Sequence, residues 1–135
     1  MSTIASIGPP PADSTVFHVV GRSTRKGVTW LWARTDLDLA TACAARVELD
    51  ALLSAPEPPR FVLVYLGVEC FVDVRGLRLL VDATRRARTR GGDLVVVAPP
   101  HCLRRMTSRL GFTDHLSLAS GAREAVRWTR VGRRV

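Results

Sequence analysis

The residues best placed to do chemistry stand at one turn, Asp73-Val74-Arg75-Gly76-Leu77, where an apolar run of strand type passes into a helical pattern. A carboxylate just before a helix accepts hydrogen bonds from its free N–H groups, so Asp73 reads as an N-cap bonded to the Gly76 N–H. Gly76 reads as a residue that permits close backbone approach. Arg75 either sits neutrally on an exposed turn or presents its five-donor fork to a carboxylate or phosphate. Asp38 precedes another helical pattern and reads as its cap. Arg78, Arg85, Arg86, Arg88 and Arg90 lie on and after the helix that follows Asp73. The simplest reading of these cations is a solvated face; the other is a footprint for nucleic acid or an acidic protein.

The remaining reactive side chains form no catalytic set. His18, His101 and His115 have neither an i, i+4 partner nor a nearby carboxylate pair, so no metal site is expected. Cys43, Cys70 and Cys102 are far apart, odd in number and without a C-x-x-C pair, which fits small buried hydrophobes better than disulfides or zinc. Cys102 stands beside His101, but adjacent helix residues diverge and cannot form a facing Cys–His pair. Neither a Walker-type phosphate loop nor a G-x-S-x-G elbow occurs, and no cofactor is expected. Trp30, Trp32 and Trp128 are dispersed in the sequence, which argues against a base-stacking platform.

The elements that must position these residues follow from hydrophobic period. Two β-like runs, Thr15–Gly21 and Val28–Arg34, flank a turn, and Val28, Trp30 and Trp32 share one face of the second. From Leu39 to Leu53 the period turns helical, with Ala42, Ala45, Leu49, Leu52 and Leu53 on one stripe, and the three prolines of Ser54–Arg60 end it. Phe61–Leu66 is a continuous apolar run, as expected for a strand covered on both faces. In the helix after Asp73, Leu77, Leu80, Val81, Thr84 and Ala87 form the inward stripe, and Gly91-Gly92 stops it. Leu94–Val97 is a buried strand, His101 to Leu110 a third helix closed by Gly111, and His115–Leu118 a short strand. Ser120 reads as the cap of a last helix with Ala122, Ala125 and Val126 inward. The order ββαβαβαβα predicts an α/β fold: a mixed, mostly parallel sheet with about four helices. The boundaries read as an extended arm over residues 1–14, a domain over 15–132 and a basic tail over 133–135.

Length and composition bound the function. At 135 residues the chain has room for one ordinary domain and a core that needs no metal or disulfide. Hydrophobic residues at 47% and charged residues at 24% exclude general disorder. A net charge of +8 favours acidic partners, but nineteen of the twenty cations are arginine, a bias that genome-wide composition explains as readily as a phosphate-binding patch. No secretory signal or membrane-spanning run is visible, and a reducing cytoplasm is the expected compartment.

Three blocks in order carry a resemblance: Thr35-Asp36-Leu37-Asp38-Leu39-Ala40-Thr41-Ala42, then Asp73-Val74-Arg75-Gly76-Leu77, then Gly91-Gly92-Asp93-Leu94-Val95-Val96-Val97 with Leu110-Gly111-Phe112 beyond. Over about residues 28–130 the chain resembles the STAS domain, the fold of bacterial anti-sigma factor antagonists. That family shows G-E-L-D-[LH]-x-[TS]-A, a strand ending in D-S-[ST]-G-L, and G-G-x-L-x-[LV]. Asp38, Asp73, Gly76 and Leu77 match. Arg75 stands where the family has its phosphorylatable Ser or Thr, Val74 where Ser is common, and Tyr65 where an acidic residue is common at the end of the central strand.

The resemblance implies a STAS-like fold and a regulatory protein without catalysis of its own. Its partner would be an anti-sigma factor or related serine-kinase-type protein, bound through Asp38 and Asp73, Val74, Arg75, Gly76, Leu77 and Arg78. A hydroxyl at a helix N-terminus is a good phosphate site, because free N–H groups and the helix dipole favour the dianion. Arginine cannot accept phosphate there, and no Ser, Thr or Tyr lies between Asp73 and Asp82. No phosphorylation is therefore expected at the family's position. Constitutive binding or service in another complex follows. The alternatives of another class are a basic nucleic-acid-binding module and a STAS scaffold or ligand-sensing regulator; a homodimer is compatible with each, and no membrane partner is expected.

Overall fold

Strand alternation and helical period resolve into the expected order. A computed structural model describes residues 16–67 and 69–131; the arm expected over residues 1–14 and the tail expected over 133–135 lie outside the described residues. The elements are β1 (Phe17–Ser23), β2 (Val28–Ala33), α1 (Ala42–Leu53), β3 (Phe61–Tyr65), α2 (Val74–Thr89), β4 (Asp93–Val97), α3 (His101–Arg109), a 3-10 turn (Thr113–His115), β5 (Ser117–Ala119) and α4 (Ala122–Val131). The sheet runs β1-β2-β3-β4-β5 in space as in sequence. β1 is antiparallel to β2, and the other neighbours are parallel. This is the mixed, mostly parallel α/β sheet that the period predicts.

Alternation divides the interior into two cores. Val62, Val64, Leu94 and Val96 point to one face and meet Ala45, Leu49 and Leu53 of α1, Leu77, Leu80 and Ala83 of α2, and Leu103 of α3. Phe61, Leu63, Val95 and Val97 point to the other face, where α4 supplies Ala125 and Trp128. Both faces of β3 and β4 are therefore covered, which is why their sequences are continuously apolar.

Two helices end as the glycines predict. Gly91 takes φ 81°, the Gly92 N–H donates to the Ala87 carbonyl (3.0 Å) and the Gly91 N–H to that of Arg88 (3.0 Å). Gly111 (φ 74°) repeats the arrangement after α3, with the Phe112 N–H on the Thr107 carbonyl at 2.9 Å. These paired bonds satisfy carbonyls that a helix end leaves orphaned.

Several boundaries differ from expectation by one residue, and four places differ more. β1 runs over Phe17–Ser23, two residues beyond the expected end at Gly21, with an irregular register between Val19 and Gly21; Thr15, its expected start, lies outside the described residues. α1 begins at Ala42 and not at Leu39, because the Leu39 N–H is held by Asp73 (3.0 Å) and the chain makes a separate turn over residues 38–41 first. The last strand is Ser117–Ala119, because the chain leaving Gly111 makes a 3-10 turn, with the His115 N–H on the Phe112 carbonyl. Ser120 lies one position outside the cap of α4: Glu124 reaches back to the Ser120 N–H (2.8 Å), Ala122 is exposed and Val126 half-buried.

Candidate partner-docking corner

The site is where the ends of β2 and β3 meet the starts of α1 and α2. After β3 the chain approaches the segment following β2 and forms a parallel bridge, Leu37 with Val72. The Leu37 N–H donates to the Phe71 carbonyl (2.8 Å), and the Asp73 N–H donates to the Leu37 carbonyl (3.0 Å). The Asp36 carboxylate accepts from the Phe71 N–H (2.9 Å), and the Thr41 hydroxyl donates to the Asp36 carbonyl (2.6 Å). Two loops are thus stitched into one rigid unit.

Asp73 caps α2 as its sequence position predicts. One carboxylate oxygen accepts from the Arg75 N–H (2.9 Å) and the Gly76 N–H (3.0 Å), and the other accepts from the Leu39 N–H (3.0 Å). One side chain therefore fixes the start of α2 and the entry to α1 together. Asp38 does its capping earlier than expected: its carboxylate accepts from the Ala40 N–H (3.0 Å) and the Thr41 N–H (3.3 Å), within the turn that precedes α1.

Gly76 is the contact point between the two loops. A Cβ there would stand 2.2 Å from the Leu37 carbonyl oxygen and 2.8 Å from the Leu37 Cβ. Gly76 and Leu77 are buried, Leu77 completely. These two, named above among the partner contacts, lie on the side of the first turn of α2 that faces Leu37 and the core.

Val74, Arg75 and Arg78 face outward, as expected. Around them lie apolar side chains that the sequence reading leaves out: Leu39 is 66% exposed, Phe71 52% and Val74 42%. Val47 and Cys43 extend the exposed apolar surface along α1 at four-residue spacing from Leu39. The signal was present in the sequence as apolar residues off the inward stripe of the helix. Beneath the corner, burial and then the nearby Asp36 carboxylate push the Cys70 thiol up to about 11.

Several other arginines are paired within the chain. Arg46 and Arg85 pair with Asp82 (3.4 and 2.6 Å), and Arg86 pairs with Asp50. Arg90 donates to the Leu53 carbonyl (2.7 Å). Arg88 reaches Asp93 (3.1 Å), the Asp114 carbonyl (2.7 Å) and the Ser117 hydroxyl (2.9 Å). On α2, Arg75 and Arg78 make no ion pair among the described residues, whereas Arg85 is paired with Asp82 and still keeps 70% of its side chain exposed. The tryptophans are also less scattered than their positions imply: Trp30 and Trp32 both stack on Tyr65, and Trp128 packs against the same core. Among the described residues no group of three His, Cys, Asp or Glu side chains is arranged to hold a metal, and no helix is long and apolar enough to cross a membrane.

Residues 23–119 match the model of a family described as "Mlab, STAS domain". A putative anti-sigma factor antagonist from Thermotoga maritima has the same fold (TM-score 0.68, 16% identity, 84% of this chain and 92% of that one). The anti-sigma factor antagonist SpoIIAA in its unphosphorylated form matches over 85% of this chain and 98% of its own (TM-score 0.61, 14% identity); the same Bacillus protein has also been solved phosphorylated. The murine anion transporter solute carrier 26 family member A9 matches over 87% of this chain but 22% of its own (TM-score 0.63, 15% identity). At these identities the likeness is one of fold. No curated protein sequence matches the chain.

Proposed function

The chain belongs to the STAS domain family of the Mlab type, and from that premise we propose that it is a regulatory module that works by docking another protein at the corner formed by residues 36–41 and 71–78. The observation that carries this reading is the exposure of Leu39, Phe71 and Val74 around a turn locked by Asp73 and Gly76. Apolar side chains held on a rigid, hydrogen-bonded frame lose little freedom on binding, which is what an interaction surface requires. Its polar rim is Asp38, Arg75 and Arg78. The reading needs no catalytic step.

The partner class is an anti-sigma factor or a related protein of serine-kinase type, as fits an antagonist of the kind its structural relatives are named for. Arg75 sets the manner of binding. It occupies the second position of α2, where free N–H groups would favour an anion, and its side chain carries a permanent cation instead. The complex is therefore constitutive with respect to phosphorylation at this turn, and the guanidinium is available to a carboxylate on the partner.

The test is capture from native extract on the full chain, with Phe71→Asp beside it, followed by phosphorylation with the captured kinase-type protein. Removing a central apolar anchor costs about 2 kcal/mol or more, roughly a thirtyfold loss of affinity. Wild type should retain a protein of anti-sigma or kinase type and take up no phosphate; Phe71→Asp should lose retention, and Arg75→Ser should become a phosphate acceptor. Equal retention by wild type and Phe71→Asp, or phosphate at the α2 turn of the wild type, refutes the reading.

A further inference from the structure

Thr29, the second residue of β2, is fully buried, and its hydroxyl has no hydrogen-bond partner among the described residues. The other buried hydroxyls are engaged. Thr84 donates to the Leu80 carbonyl (2.7 Å), Thr107 to the Leu103 carbonyl (2.7 Å) and Ser117 to the Asp93 carboxylate (2.5 Å). A helix offers a threonine the carbonyl four residues back, whereas the carbonyls of an inner strand are taken by the ladders on either side. An interior hydroxyl without a partner forfeits its bonds to water and destabilises the fold, so native chains seldom retain one without a use. Valine would fill the same volume, and Val62 does so at the neighbouring position of β3.

Thr29 lines a cavity of about 250 Å³, enclosed by the β1–β2 turn and by the proline-rich connection from α1 to β3. Arg22 is the register partner of Thr29 on β1, so the two side chains leave the same face of the sheet with Cβ atoms about 5 Å apart. Ser23 lines the cavity from the same strand, and Glu57, Pro58 and Pro59 line it from the connection. The enclosure is stiff. The Phe61 N–H donates to the Gly27 carbonyl (2.9 Å), Gly27 takes φ 67°, and each proline fixes its own φ. A preformed hollow of this kind loses little freedom when a ligand enters. Its charges select the ligand. A lone anion would meet Glu57 and a lone cation Arg22, whereas a molecule carrying both charges suits the pair. Arg22 has five N–H donors, enough for a ligand as well as its neighbour within the chain. The volume falls below the roughly 300–1,000 Å³ of sites for drug-sized molecules, which points to a ligand the size of one amino acid.

We propose that this cavity binds a free α-amino acid, with its carboxylate on Arg22, its ammonium on Glu57 and one of its polar atoms accepting from the Thr29 hydroxyl. The site shares no residue with the docking corner, which lies beyond the other end of β2, and it does not depend on the partner proposed there.

Titration of the full chain with each protein amino acid in turn, followed by nuclear magnetic resonance, tests it. At least one should shift the amide signals of Ser23, Gly27, Thr29 and Glu57 saturably. The same amino acid as its N-acetyl derivative or its methyl ester should bind at least about tenfold more weakly, since each removes one charge-assisted contact. Thr29→Val should melt at or above the wild-type temperature and bind about tenfold more weakly, while Thr29→Ser, which keeps the hydroxyl, should bind as wild type does. Should Thr29→Val fail to fold, Glu57→Gln at an exposed loop position gives the same readout, again a loss of about tenfold. No saturable shift with any amino acid overturns the proposal, since an ordered water alone would then meet Thr29. Equal binding of the acetylated or esterified form, or by Thr29→Val, overturns it as well.

Discussion

Gly76→Ala tests the architecture of the corner most directly. The new methyl would stand 2.2 Å from the Leu37 carbonyl oxygen, and ordinary contact begins near 3.4 Å, so the two segments must part by about 1 Å. Leu37 cannot yield alone. It is bridged to Val72, donates to the Phe71 carbonyl and accepts from the Asp73 N–H. Overpacking of this kind costs about 1–3 kcal/mol, and a displaced backbone hydrogen bond about 1 kcal/mol. Alanine's better helix propensity returns up to about 1 kcal/mol. The balance is a loss of about 2 kcal/mol, which for a domain of this size lowers Tm by about 8 °C. Urea titration should give a lower midpoint with an unchanged slope, and calorimetry the matching shift. Gly67→Ala, where a Cβ meets nothing within 4 Å, is the control and should stay within about 0.5 kcal/mol of wild type. A Gly76→Ala protein as stable as wild type would mean that Leu37 does not lock the turn, and the reasoning about a rigid corner would fall.

Four further outcomes follow from contacts and exposures described above. Asp73→Ala removes the acceptor of three N–H groups and should cost about 1–2 kcal/mol in urea, with Asp73→Asn costing less; an unchanged midpoint refutes the cap. Asp93 is buried and bonded to Arg88, to the Leu94 N–H and to the Ser117 hydroxyl (2.5 Å), so Asp93→Ala should cost about 3 kcal/mol, the largest loss of the set. Burial raises the Cys70 thiol from 9.0 to about 11, with Asp36 adding to it. The folded state thus favours the protonated thiol, a contribution complete below about pH 9 and lost as pH climbs to about 11. Thermal melts of wild type should fall more steeply than those of Cys70→Ala across that window, and parallel curves refute the assignment. In the native protein at neutral pH, iodoacetamide should label the exposed Cys43 before Cys70.

What the sequence made legible was what local chemistry decides. Asp73 needed only its place before an apolar helix to announce a cap, and Gly91 and Gly111 needed only theirs after one. The buried strands declared themselves through unbroken apolar runs. Gly76 was readable as a point of close approach, although the sequence does not say that Leu37 is what approaches it. The misreadings arose where distant segments compete for the same backbone group. The helix expected from Leu39 is delayed because Asp73, thirty-four residues away, takes the Leu39 N–H. The tryptophans looked scattered because the ring that joins two of them, Tyr65, comes from the neighbouring parallel strand. Likewise Leu39, Phe71 and Val74 are unremarkable apart and form a surface only once two loops are stitched together.

The two margins of the sheet restrict how this molecule can associate. β5 is three residues long, and β1 is broken in register between Val19 and Gly21. Neither offers the long, regular row of unpaired amides along which foreign strands recruit one another. Lateral growth of the sheet into fibres, or dimers zipped margin to margin, is thus discouraged by the geometry of its outermost strands. Assembly with other molecules is left to side-chain surfaces, where sequence can discriminate among partners.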